Sequence, residues 1–63
     1  MNRKTLIARL RQLQAVDINA HDIYVDLLKL TKDDTQRKIF LSIADDEKRH
    51  IALGKKMLSM LEK

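Results

Sequence analysis

The sequence predicts an all-α fold, an antiparallel helical hairpin that homo-oligomerises into a four-helix bundle. The chain has no proline and one glycine, and aromatic residues make up only 3% of it, which is typical of long helices. Its apolar residues recur at helical spacing in two segments that a short polar stretch separates. With 63 residues and no cysteine, the chain needs a metal ion or self-association to stabilise so small a core. We therefore expect residues 1–63 to form a single two-helix half-domain.

The first periodic segment predicts a helix over about residues 4–30. Its apolar positions alternate between steps of four and three residues, the heptad pattern of a helix that packs along its whole length. This first seam consists of Leu6, Leu10, Leu13, Asp17, Ala20, Tyr24 and Leu27. Further apolar side chains lie beside it, so we expect the helix to have more than one neighbour, as in a bundle.

A turn over about residues 31–33 leads into a second helix over about residues 34–61. Asp33 can accept a hydrogen bond at the start of that helix, with Gln36 at the capping-box position. The second seam consists of Phe40, Ile43, Glu47, His50, Gly54, Met57 and Leu61. Because the turn is so short, the two helices must run antiparallel as neighbours.

Three ionisable residues interrupt these apolar seams: Asp17 in the first, and Glu47 and His50 in the second. A charge that is buried without a partner costs several kcal/mol, so such groups are normally paired, neutralised or bound to metal. Asp17 lies fifteen residues before Lys32 and Glu47 fifteen after it, so an antiparallel hairpin brings both to the same height. His50 follows one turn along the same face.

This arrangement is half of a metal site known from helical bundles. Two symmetric copies would supply four carboxylates and two imidazoles, a set that suits two divalent ions. Oxygen and imidazole ligands without sulfur favour iron or manganese, and zinc also fits. The alternative is a metal-free hydrogen-bonded pair, Asp17 with His50, that fixes the register of a plain dimer.

The same residues resemble the ferritin-like superfamily, most closely its rubrerythrin branch and the two-helix encapsulated ferritins. Residues 17–24 resemble the first-helix pattern, in which an acid is followed by a small residue and an aromatic, and residues 43–50 resemble the second-helix pattern of acids leading into Glu-x-x-His. The resemblance implies a di-iron site between subunits, with Asp17, Glu47 and His50 as ligands. It also implies oxidation of ferrous iron by oxygen or peroxide, with Glu47 and His50 at the catalytic centre.

The family normally has glutamate at the position of Asp17, and the shorter aspartate reaches less far toward a second metal. Two neighbouring residues extend the candidate site. His21, four residues after Asp17, would either bind the metal or donate a hydrogen bond to a metal-bound carboxylate. Tyr24 would, by the resemblance, hydrogen-bond a ligand; the alternative is a tyrosine packed in the helix seam.

Charge and hydropathy restrict the remaining classes of partner. The net charge is +4, but the basic residues are interleaved with apolar ones at helical spacing, so a solvated face is expected and nucleic-acid binding is not. No segment approaches the ~20 apolar residues of a membrane span, and no secretory signal is recognisable, so we expect a cytoplasmic protein. The alternative function is a non-catalytic dimeric bundle that serves interactions and retains a relict or metal-free polar cluster.

Overall fold

The computed structural model describes residues 2–62; Met1 and Lys63, the two ends of the predicted 1–63 unit, lie outside the described residues. The chain forms two helices, α1 (Arg3–Leu30) and α2 (Asp34–Leu61), each of 28 residues. They pack side by side and antiparallel in a rod of 46 × 15 × 14 Å. The predicted all-α hairpin is confirmed. Neither helix has the length and apolarity that crossing a membrane would require.

Both helices begin at side-chain caps. The Asn2 side chain accepts a hydrogen bond from the backbone N–H of Thr5 at 2.8 Å, and Asp33 accepts one from the N–H of Gln36 at 2.8 Å. These bonds satisfy backbone donors that have no partner within the helix. The cap that the sequence predicts at Asp33 is therefore present, and it sets the start of α2.

Arginine side chains hold both ends of the hairpin together. At the turn, the Arg37 guanidinium donates to the carbonyl oxygens of Leu28 and Thr31, the latter at 2.9 Å. Leu28 lies in the last turn of α1 and Thr31 is the residue that caps it, where intrahelical partners for carbonyl oxygens run out. At the open end, Arg11 of α1 forms an ion pair with Glu62 after α2. Contacts at both ends thus keep the two helices in register.

The core of the hairpin is very small. Within the described residues, only Ala44 and Leu58 are buried, and α1 contributes no buried residue. Among residues 2–62, ten large hydrophobic side chains are exposed, including Val16 at 63% and Met60 at 62%. A two-helix unit with so little apolar burial is marginal alone. The exposed apolar surface and the extended shape therefore indicate a partner that covers it.

The second helix is rotated relative to the predicted seam. Met57 remains 48% exposed and the His50 side chain 58% exposed, whereas Ala44 and Leu58, which lie outside that seam, are buried. An apolar stripe this wide does not determine which of its edges faces the neighbouring helix. The predicted second seam therefore runs along the boundary between the α1–α2 contact and an open groove.

Candidate metal site

The candidate ligands lie halfway along the hairpin. Asp17 is the fifteenth residue of α1, and Glu47 is the fourteenth of α2, so the antiparallel packing brings the two side chains together. His50 lies one turn further along α2. One ligand atom from each of the three side chains can be chosen so that all lie within 4.8 Å of one another. The structure thus groups the three residues that the sequence singles out.

Glu47 lies at the bottom of this group. Its side chain is 18% exposed, and its Oε2 atom is buried without a hydrogen-bond partner among the described residues. The Nδ1 atom of His50 is 4.0 Å from the other carboxylate oxygen, Oε1, which is too long for a hydrogen bond. A buried acceptor without a partner costs free energy. A proton or a cation bound at Oε2 would remove that cost.

The electrostatics of the site also favour a bound proton or cation. Burial raises the pKa of Glu47 above its ordinary value of 4.5, and the adjacent Asp17 carboxyl raises it further through hydrogen bonding and charge repulsion. His50 acts in the opposite direction and lowers the pKa of Glu47, while Asp46 raises it. The site therefore concentrates negative charge where solvent cannot fully stabilise it, and a bound cation would relieve the repulsion.

The site opens into a groove along one side of the hairpin, with a volume of about 510 Å³. Asp17 and Glu47 lie at the end of the groove nearest the turn, and Gln14, Gly54 and three apolar side chains line it toward the open end. The lining residues are Leu10, Leu13, Gln14, Asp17, Glu47, His50, Gly54 and Met57. A ligand or a partner chain that fills the groove would therefore contact both the apolar walls and the candidate ligands.

The three side chains fit a divalent ion. Two ligand atoms on opposite sides of an ion with bonds of about 2.1 Å are about 4.2 Å apart, so a maximum spacing of 4.8 Å requires only small side-chain rotations. Two carboxylates can balance the charge of the ion, and imidazole is a common ligand of iron, manganese and zinc. The shorter Asp17 still reaches this group. Three ligands leave coordination positions open toward the groove.

His21 and Tyr24 lie beside the group but are not members of it. The Nδ1 atom of His21 is 3.6 Å from the carboxylate of the neighbouring Asp22. The Tyr24 ring lies against that of Phe40, with a centroid distance of 6.2 Å and an angle of 38°. Among the described residues, the Tyr24 hydroxyl makes no hydrogen bond to a candidate ligand. The roles predicted for His21 and Tyr24 at a metal therefore remain predictions.

Gln14 is part of the groove although the seam pattern does not single it out. Its side-chain amide donates a long hydrogen bond of 3.4 Å to the carbonyl oxygen of Ile51, and so links α1 to α2 beside the site. The only signal in the sequence is its position three residues before Asp17, on the same face of the helix. Such a spacing becomes informative only once the groove is known.

Comparison with protein-family models, with curated proteins and with solved structures finds no significant match for this chain. The ferritin-like resemblance therefore rests on the two short sequence stretches, residues 17–24 and 43–50.

Proposed function

We propose that this protein is a ferritin-like metal-binding protein whose site forms between two copies of the hairpin. In this proposal, Asp17, Glu47 and His50 of each copy bind divalent metal, most readily as a di-iron centre, with manganese or zinc as alternatives. One observation carries the proposal: a buried carboxylate oxygen without a partner lies within a compact group of two carboxylates and one imidazole. Such a group is costly in a metal-free protein.

The incomplete coordination supports a site that is shared between subunits. One hairpin offers three ligand side chains, and the open positions face a groove with mostly apolar walls. A second hairpin that covers the groove would bring its own three ligands to the same place and exclude water from the metals. Assembly and metal binding would then depend on the same surface.

The proposed activity is the oxidation of ferrous iron by oxygen or peroxide. Iron is the substrate in this reaction, and Glu47 and His50 are the proposed catalytic ligands. Asp17 and Glu47 would hold the positive charge that the metal gains on oxidation, while His50, at the solvent-exposed edge of the group, would face the entry route.

The metal site is tested by comparing three proteins: the wild type, the double variant Glu47→Gln/His50→Ala, and Asp45→Asn. Asp45 is an exposed acid outside the group, so its variant controls for the loss of one negative charge. At Fe²⁺, Mn²⁺ or Zn²⁺ concentrations about 100 times the dissociation constant, binding should stabilise the wild type and the Asp45 variant by about 2.7 kcal/mol. For a small domain, this is a shift of about 10–20 °C in the melting temperature.

The double variant should show no such shift. An equal shift in all three proteins would mean that metal binds elsewhere, and the proposed site would then be wrong. Turnover is tested separately, by loading the protein with Fe²⁺ under anaerobic conditions and admitting oxygen. The expected result is a near-ultraviolet band of oxidised iron in the wild type and in the Asp45 variant, but not in the double variant.

The second candidate function is a metal-free dimeric bundle that serves interactions alone. The raised pKa of the Glu47 carboxyl supports it, because burial and the adjacent Asp17 favour the protonated form of Glu47, which needs no metal to balance its charge. The double variant also separates this candidate from the first. A metal-free bundle should be as stable or more stable without Glu47 and His50, in the presence or absence of metal.

A further inference from the structure

Four basic side chains surround one small residue on the solvent-facing side of α2. The small residue is Ala52, which is exposed. On a helix surface, the residues three and four positions before and after it are its direct neighbours, with Cβ atoms about 5–6 Å apart. All four are basic and exposed, and we call them the basic quartet: Lys48, Arg49, Lys55 and Lys56. Because the alanine side chain is short, the centre of the quartet is open to a ligand.

The basic quartet carries positive charge that the chain does not balance. The C-terminal half of α2 contains four basic residues and no acidic one. Within residues 2–62, Arg49 forms an ion pair with Asp46, whereas the three lysines of the quartet form none. Asp45, an exposed acid, borders the quartet on the same side as Asp46. The unbalanced charge is therefore centred on Lys55 and Lys56, at the end away from the turn.

The basic quartet lies outside the groove that holds the candidate metal site. None of its members lines that groove, and neither does Ala52. A second copy that covers the groove would therefore leave the quartet exposed. A ligand at the quartet does not depend on the proposed function, and failure of one site leaves the other untouched.

The dimensions of the basic quartet favour a compact polyanion. Lys48 and Lys55 are seven residues apart, which is about 10.5 Å along the helix. A short chain of phosphoryl groups fits within that length and concentrates several negative charges, whereas each carboxylate of an acidic peptide contributes only one. Lysine is a compact, strongly hydrated charge that commonly binds phosphate, and arginine binds it through two parallel hydrogen bonds. The composition of the quartet therefore suits phosphoryl groups.

A nucleic acid fits the basic quartet less well. Nucleic-acid sites follow the phosphate backbone along an extended basic track, and sites for single strands add aromatic side chains on which the bases stack. The quartet covers only about two turns of one helix. The two aromatic residues of the chain, Tyr24 and Phe40, are half-buried against each other and are not part of it. We infer that the basic quartet binds a compact polyphosphate, with a short chain of phosphoryl groups lying over Ala52.

Ala52→Glu tests the site by placing a carboxylate at its centre. The carboxylate can pair with the four basic neighbours and repels a polyanion, so tripolyphosphate should bind about tenfold more weakly at moderate salt. The helix should be retained, because glutamate is a good helix former and gains ion pairs here. Isothermal titration uses the full, metal-free chain, so that tripolyphosphate cannot bind through a metal ion. Circular dichroism of the same samples checks the helix content.

Three further variants identify the cause of any loss. Ala52→Gln has the shape of the glutamate variant without its charge and should bind tripolyphosphate as tightly as the wild type. Lys55→Gln/Lys56→Gln, which leaves Ala52 in place, should weaken binding. Ala15→Glu makes the same change as Ala52→Glu at an exposed position of α1 and should have little effect. Equal weakening by Ala15→Glu and Ala52→Glu would overturn the inference, because binding would then follow the net charge alone.

The class of ligand is tested on the wild type. Inorganic phosphate, which has a single phosphoryl group, should bind much more weakly than tripolyphosphate. ATP carries the same phosphate chain and should bind about as tightly, because the basic quartet offers no aromatic side chain to the base. Absence of tripolyphosphate binding would overturn the inference. Binding to vesicles of an anionic phospholipid or to DNA in its place would assign the quartet to a membrane surface or to a nucleic acid.

Discussion

Replacing Gly54 by alanine tests how the hairpin and its groove are packed. Gly54 lies in the interior of α2, where glycine costs about 1 kcal/mol relative to alanine. A Cβ atom at this position would have the side-chain nitrogen of Gln14 as its nearest neighbour, at 3.8 Å, which is an ordinary van der Waals contact. Nothing within the hairpin therefore requires a glycine here, and Gly54→Ala should stabilise the single hairpin by about 1 kcal/mol.

In the assembled protein, we expect Gly54→Ala to be destabilising, because of the position of Gly54 in the groove. Gly54 lines the groove that the second copy is proposed to fill, so an added methyl group would stand between the two copies. We expect Gly54→Ala to weaken pairing while it strengthens the helix. Urea denaturation over a range of protein concentrations separates the two effects, because only the pairing depends on concentration.

Ala52→Gly is the matched control. It makes the reverse change two residues earlier, at an exposed position outside the groove lining, and should cost about 1 kcal/mol without affecting pairing. For a domain of this size, each change corresponds to about 4–8 °C in melting temperature. A Gly54→Ala protein that is destabilised equally at every concentration would refute the reasoning, since the methyl group must then clash within the hairpin itself.

Two further predictions concern the cap and the site. Asp33→Ala removes the acceptor for the Gln36 N–H and should cost about 1 kcal/mol in urea denaturation, whereas Asp33→Asn should retain most of the stability. The pKa of Glu47 in the folded metal-free chain is raised above 4.5, so its carboxyl stays protonated at pH values where the same group in the unfolded chain has lost its proton. The free energy of unfolding should therefore fall as the pH rises from about 4.5 through the raised pKa. Glu47→Gln should flatten this dependence, and an unchanged pH profile in that variant would contradict the assigned cause.

Much of the hairpin could be predicted because its signals are local. The heptad spacing sets the helix faces, the polar stretch at residues 31–33 sets the turn, and Asp33 caps the second helix. The meeting of Asp17 and Glu47 required one further step, counting residues from the turn in an antiparallel pair. Each of these inferences depends on regular helix geometry alone, so a single sequence was enough.

The rotation of α2 could not be predicted in the same way. Ala44 and Leu58 lie along one edge of its apolar stripe, and His50 and Met57 lie along the other. Residue spacing alone does not show which edge packs against α1 and which stays open. That choice depends on how side-chain volumes fit between the two helices. The exposure of His50 and the orphaned oxygen of Glu47 follow from this rotation and could not be read from the sequence.

The rotation of α2 places exposed apolar side chains and the carboxylates of the candidate site on the same surface. Covering the apolar side chains and neutralising the carboxylates therefore depend on each other. The exposed apolar surface of the hairpin needs a partner, but a second copy laid over the groove would also bury His50 and bring four carboxylates together. Desolvating that much negative charge opposes the hydrophobic gain from pairing. A divalent ion at Asp17, Glu47 and His50 removes this opposition, so in the proposed assembly metal should tighten pairing, and pairing should tighten metal binding by the same factor.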